Sequence, residues 1–245
     1  MRVGCDLDGV LADLHTAFTA VAVRLFPELD ASLIPADVGS SPPDAERGNG
    51  EPGEVPAPPT IDRRAPLTRR QLDAVWSHLA AVPDFWETLD EIERGSVKRL
   101  ASIAEAERWE VIFLTSRPRV GGRTIQRQSQ RWLDRMGFPM PSVYVVHGSR
   151  GRIAEALGLD VVIDDRPDNC LDVALESKAR AILVWRGVAG GVPSSANRLG
   201  IGSVTTVSAC LDLIVEAQKA ANTPLDFRQR LRRLLGLPPR ASTRT

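Results

Sequence analysis

Cysteine is scarce in this chain: Cys5, Cys170 and Cys210 are odd in number and far apart. They form neither a disulfide framework nor a zinc-ligand spacing, so they are expected as small apolar core residues in a reducing compartment. Net charge is missing as well. Lys and Arg together number 31, and so do Asp and Glu. That balance argues against a surface given over to nucleic acid, while leaving local patches open. No apolar run approaches the roughly 18 residues a membrane span needs, so no membrane partner is expected. The opening MRVGCDLDG has no apolar leader, and a cytoplasmic location is the expectation. What remains is an ordinary globular composition, 43% apolar and 25% charged over 245 residues. It suits one α/β domain with an elaboration, or two small domains.

Met1–Cys5 is a short apolar run ending in Asp6-Leu7-Asp8-Gly9, which predicts a buried strand entering a turn. Residues 11–27 carry Leu14, Phe18, Val21 and Leu25 at helical spacing. Composition then changes. Between Pro35 and Pro66 lie eight of the 18 prolines and four glycines. Such a stretch buries too little apolar surface to offset its ordering entropy, so a long, disordered loop is expected at 35–66. Thr68 is placed to cap a helix over 68–82, Pro83 ends it, and a short apolar element follows at Asp84-Phe85-Trp86. Another amphipathic helix is expected over 95–107.

From there strands and helices alternate. Strands are expected at 111–115, 142–147, 161–165, 181–185 and, weakly, 204–207. Helices are expected at 124–136, 152–157, 168–178 and 209–219. This alternation predicts an α/β fold with a doubly wound parallel sheet. A basic tail, 221–245, closes the chain. Six arginines fall in its last 18 residues.

In an open parallel sheet, ligands bind at the carboxyl ends of the strands. Two acidic pairs fall at such ends, Asp6 with Asp8 and Asp164 with Asp165. Carboxylates gathered there repel one another, and a hard divalent cation is the natural remedy. Thr115-Ser116-Arg117 follows one strand, and Ser149-Arg150 precedes a helix after another. Hydroxyls, backbone N–H groups and a cation at that edge make a phosphate cradle.

Asp6-Leu7-Asp8-Gly9-Val10, then Thr115, then a basic residue, then Asp164-Asp165 resemble, in order, the four motifs of the haloacid dehalogenase-like (HAD) superfamily. The LDGVLAD and IDDRPDN stretches look like its 5′(3′)-deoxyribonucleotidase-like branch. The resemblance covers residues 1–13 and roughly 95–220, a Rossmannoid catalytic core. It makes residues 14–94 a helical C1 cap inserted after the first strand. It implies a phosphoric monoester hydrolase in which Asp6 is the nucleophile and Asp8 the acid and base. Thr115 would donate to a phosphoryl oxygen, and Asp8, Gly9, Thr115, Ser116 and a basic residue would line the phosphate site. Mg²⁺ would bind Asp6, the Asp8 carbonyl and Asp164, with Asp165 close by or through water. The family shows Lys as the basic residue; here the spacing lands on Arg150, with Arg152 as the second choice. Arg keeps the charge but has a different shape.

The implied substrate is a small phosphorylated molecule, a (deoxy)nucleoside monophosphate first. Another phosphorylated metabolite, or a non-catalytic binding role, is the alternative. Leu14 stands where the branch often places an aromatic residue. Leu14, Phe18, Trp76 and Arg117 are the candidate substrate contacts, and Phe85 and Trp86 are further aromatics for a base pocket. Arg123, Arg127, Arg131 and Arg135 form an i,i+4 stripe, read as a solvated helix face.

Overall fold

The computed structural model describes residues 1–34, 67–187 and 194–222. The loop expected at 35–66 and the arginine-rich part of the tail lie outside these residues. Contacts divide the chain into two units, Met1–Cys210 and Leu211–Thr245.

Among the described residues, six strands alternate with helices. In chain order they are β1 (Arg2–Asp6), α1 (Leu14–Leu25), α2 (Arg69–Ala81), α3 (Ser96–Glu107), β2 (Glu110–Thr115), α4 (Ile125–Arg135), β3 (Ser142–Val145) and α5 (Arg150–Leu157). Then come β4 (Val161–Asp164), α6 (Pro167–Glu176), β5 (Arg180–Val184), α7 (Ser194–Arg198), β6 (Gly202–Val204) and α8 (Val207–Asn222). α8 starts in the first unit and continues into the second. The sheet order is β3-β2-β1-β4-β5-β6, and every neighbouring pair is parallel. Parallel neighbours need a crossover, which the helices supply. The chain builds outward on one side of β1, then returns to its other side at β4. That reversal opens a crevice beyond the carboxyl ends of β1 and β4.

Side-chain alternation explains why both faces are covered. Leu114, Val162, Ala181 and Leu183 join Ala154 of α5 and Cys170 and Val173 of α6 in one apolar cluster. Their strand neighbours Phe113, Ile163 and Ile182 point the other way and are buried too. The three cysteines are free and buried, as small core residues. α5 and α6 approach closely because Gly151 lacks a side chain: a Cβ there would lie 2.1 Å from the Asp172 carbonyl oxygen.

Local signals set the helix starts. Asp13 caps α1 by accepting from the Thr16 N–H at 3.0 Å. Thr68 and Gln71 form a reciprocal capping box on α2. Helix α5 begins two residues earlier than the periodicity indicates. The Ser149 hydroxyl accepts from the Gly151 N–H at 3.1 Å, which makes Arg150 the first helical residue.

The chain between α2 and α3 is fastened to the sheet domain along its length. Trp86 N–H donates to Gln128 Oε1 at 3.1 Å, and its indole N–H to the Pro118 carbonyl at 3.1 Å. The Trp132 indole donates to the Leu89 carbonyl at 2.7 Å. The arginine stripe, with Arg123 just before α4 and the other three on it, makes polar contacts as well as facing solvent. Arg123 pairs with Asp84, Arg131 reaches Glu87 at 3.0 Å, and Arg135 donates to the Glu87 carbonyl. All four arginines stay exposed, as expected, and Arg127 makes no described side-chain contact. Further on, Asp13 N–H bonds the Asp90 carbonyl and Ile92 N–H bonds the Leu11 carbonyl, each at 2.9 Å, so the two connections to the α1–α2 region run as a paired ribbon. Glu91 accepts from the Gly95 and Val97 N–H groups at the start of α3. Glu93 accepts from the Val207 and Ser208 N–H groups at 2.7 and 3.1 Å, and from Arg186 at 2.7 Å. Burial raises the Glu93 carboxyl, but these bonds and the Arg186 charge outweigh it, leaving it below the ordinary range.

Candidate active site

The register of β1 assembles the site. Asp6 pairs with Leu114 of β2, so Thr115 lies one residue beyond it. Cys5 pairs with Ile163 of β4, so Asp6 and Asp164 end adjacent strands side by side. Asp6, Thr115 and Asp164 are all buried, at 7%, 1% and 1% exposure. Buried strand ends hold these side chains rigidly, which is what a reacting constellation needs.

Arg150 joins them from the first turn of α5. It is 3% exposed, its Nη2 donates to Asp6 Oδ1, and its Nε lies 3.4 Å from Asp164 Oδ2. Arg152 points outward, 82% exposed, toward Glu176. The choice between the two arginines is thus decided by which side of α5 each occupies: Arg150 enters the site.

Asp164 is braced from its own loop. The Asn169 amide donates to both carboxylate oxygens at 3.0 and 3.1 Å, and the Arg166 N–H donates to Oδ1 at 2.9 Å. Gly9 has φ +80°, and a Cβ there would lie 1.9 Å from Asp165 Oδ2, so a residue without a side chain lets Asp165 close onto the turn. Arg186, beyond β5, donates to the Gly9 carbonyl and, at 3.2 Å, to the Val10 carbonyl, pinning that turn from behind.

Asp8 faces a different partner. Arg117 grips it with two hydrogen bonds, Nε to Oδ2 at 2.8 Å and Nη2 to Oδ1 at 2.7 Å. The remaining arm of Arg117 donates to Ser129 Oγ at 2.9 Å. The guanidinium lies over the Trp86 ring, 4.8 Å from its centroid. Arg117, expected to contact substrate, is here committed to Asp8 as well as lining the cavity.

A cavity of about 50 Å³ opens between these groups. Asp6, Asp8, Arg117, Arg150 and Asp165 line its polar side, and Leu14, Trp76 and Trp86 its apolar side. Phe18 does not line it; it is fully buried behind Trp76, ring centroids 5.6 Å apart. Phe85 is likewise buried in an edge contact with Trp86. Ser116 is exposed at the rim and lines the cavity. Pro118 also lines it, as do Arg166 and Asn169 of the IDDRPDN stretch, which had been given no role of their own.

Buried, crowded carboxylates dominate the electrostatics of the site. Burial pushes Asp6 well above the usual carboxylate range; Arg150 opposes this, while Asp164, Asp165 and Asp8 add to it. Asp165 is pushed up to about 8, by burial first and then by Asp164. Among the described residues no three His, Cys, Asp or Glu side chains converge as a metal cluster. Mg²⁺ needs fewer: it takes oxygen ligands and binds through one or two carboxylates plus phosphate oxygens. Asp6 and Asp164 fit it, with the buried, unpartnered Oδ1 of Asp165 nearby. Thr115 Oγ1 and Arg150 Nη1 are also buried without a hydrogen-bond partner. Those two groups suit the oxygens of a bound phosphate.

A pH prediction follows from Asp165. Its folded value near 8 stands above the ordinary 3.8, so the folded protein holds a proton that the unfolded chain gives up. Stability contributed by that group is present below 3.8 and is lost as pH rises toward about 8. Relative to Asp165→Asn, the wild-type protein without metal should therefore lose melting temperature across that interval. Parallel melting curves for the two proteins without metal would contradict the assignment.

No protein-family model and no curated protein matches the sequence. Solved structures do match. A candidate beta-phosphoglucomutase from Thermotoga maritima superposes with TM-score 0.51 at 15% identity, over 88% of this chain and 98% of that one. A haloacid dehalogenase-like family hydrolase from Streptococcus pneumoniae gives 0.51 at 14% identity, over 87% and 97%. A hydrolase from Pseudomonas syringae gives 0.50 at 16%, over 89% and 99%. The chain thus has the α/β fold of haloacid dehalogenase-like hydrolases, with Asp6, Thr115, Arg150 and Asp164 gathered at its central strand ends.

Proposed function

We propose that this protein is a Mg²⁺-dependent phosphomonoester hydrolase of the HAD type, acting through an aspartyl-phosphate on Asp6. One observation carries the reading: Thr115 Oγ1 and Arg150 Nη1 are buried and unpartnered beside Asp6, at the carboxyl ends of the central strands. In the first step an Asp6 oxygen attacks phosphorus and the bond to the leaving oxygen breaks; Asp8, which takes a proton from solvent once an arm of Arg117 releases it, passes that proton to the leaving oxygen. In the second, Asp8 takes a proton from water, the water oxygen bonds phosphorus, and the Asp6–phosphoryl bond breaks to release inorganic phosphate. Thr115 and Arg150 hold the equatorial oxygens and offset their charge. Both Asp8 oxygens are gripped by Arg117, so Asp8 reaches the leaving oxygen only when one arm of that fork gives way. Asp6 and Asp164 would hold Mg²⁺, which supplies Lewis-acid neutralisation of the phosphoryl charge.

The substrate we infer is a (deoxy)nucleoside monophosphate, the chemistry of a 5′-nucleotidase. Trp76 and Trp86 on the cavity wall support it, because flat aromatic faces pack on a base. The aliphatic Leu14 beside them favours the second reading, a phosphorylated metabolite without a base. Phosphate release from a panel of nucleoside monophosphates and sugar phosphates, compared by kcat/KM with and without Mg²⁺, tests both. Highest kcat/KM on a nucleotide supports the first reading, and highest on a sugar phosphate the second. No release from any member contradicts the enzyme reading.

A further inference from the structure

A lysine ammonium is a compact point charge, whereas a guanidinium presents a planar fork that can span two carboxylates. Arg150 spans two: Nη2 on Asp6 Oδ1, and Nε 3.4 Å from Asp164 Oδ2. Arg150 is 4% exposed in its side chain and Asp164 1%. Arg150 thus faces one oxygen of each carboxylate that would hold the cation, and places its own positive charge beside that position. The Nε contact with Asp164 is an ion pair without a hydrogen bond, and the remaining arm, Nη1, is likewise buried with no hydrogen-bond partner. Asp164 does not depend on Arg150 for its position, because Asn169 and the Arg166 N–H hold it independently.

We propose that Arg150 is a built-in competitor of the divalent cation, bridging Asp6 and Asp164 in the resting site and moving onto the phosphoryl oxygens when phosphate binds. Metal affinity and anion affinity are then coupled through one side chain. The phosphate supplies the negative charge that lets guanidinium and metal ion share the site, so each ligand strengthens the other. The inference rests on the phosphatase reading for the place of the cation, and it goes further in making the motif's basic residue set metal affinity.

Calorimetric titration of the full-length protein with Mg²⁺ alone, and again with inorganic phosphate present, tests it. Lysine keeps the charge of Arg150 but loses the rigid planar fork that holds both carboxylates at once, so R150K separates bridging by the fork from simple charge repulsion. If the bridged form holds about nine-tenths of the resting protein, R150K should bind Mg²⁺ about tenfold tighter than wild type without phosphate. Phosphate should tighten Mg²⁺ binding in wild type by about tenfold, and in R150K by clearly less. Equal or weaker Mg²⁺ binding by R150K overturns the proposal. Should R150K fail to fold, wild type alone decides, since Mg²⁺ affinity indifferent to phosphate also overturns it. Hydrolysis is scored separately. Turnover with unchanged R150K affinity sinks the competition alone, and the affinity pattern without turnover on any phosphomonoester sinks the phosphatase reading alone.

Discussion

Asp6→Asn should lower the turnover of any phosphomonoester the wild-type protein hydrolyses by roughly four to six orders of magnitude. The amide nitrogen and oxygen occupy the same space as the carboxylate, but neither is a competent nucleophile toward phosphorus. The fold should survive. In the wild-type protein, burial and the neighbouring Asp164, Asp165 and Asp8 raise Asp6 against the opposing pull of Arg150. The charged form is thus held at a cost that a neutral amide relieves. The expected result is an inactive protein with a melting temperature at or above the wild-type value. Turnover kept within tenfold of wild type would remove Asp6 from the chemistry. A collapsed melting temperature would show that the Arg150 pair, rather than the repulsion, dominates this corner.

Arg117→Met should be the most destabilising single change at the site. The Arg117 side chain is 0% exposed, and it is bonded to both oxygens of Asp8, to Ser129 and to the Trp86 face. Removing one partner of a buried pair leaves the other charge uncompensated, at a cost of about 3 to 5 kcal/mol. In a chain of this length each kcal/mol moves the melting temperature by about 2–4 °C, so a drop of roughly 10 °C is expected. The double change Arg117→Met with Asp8→Leu should recover much of it, because no unpaired charge remains. A single variant that melts with wild type would show that the fork contributes little to stability. A double variant no better than the single would assign the loss to packing on Trp86 instead.

The strand-end carboxylates were readable because each sits in a short local pattern, an apolar run followed by acids, as in VGCDLDG and VVIDD. The parallel, doubly wound sheet follows from the alternation of strands and helices, though its strand order does not. Spacing favoured Arg150 but left Arg152 open as a second choice, since both belong to one helical turn. Only the Ser149 cap turns the first inward and leaves the second on the surface. The Arg117–Asp8 fork joins residues 109 positions apart, and no local pattern reports such a contact. The arginine stripe showed a common face but not its partners, because Asp84 and Glu87 lie on a connecting segment with no long periodicity. For the aromatics, spacing showed that Phe18 and Trp76 are buried. It could not show that Trp76 faces the cavity while Phe18 lies behind it.

The most direct test of the central claim is to trap the intermediate. Full-length protein would be acid-quenched during turnover of a ³²P-labelled phosphomonoester with Mg²⁺, then digested and mapped. The account predicts hydroxylamine-labile label on the peptide that carries Asp6, and none in Asp6→Asn. Phosphate release by the wild-type protein with no label on that peptide, or with label on another residue, would contradict it.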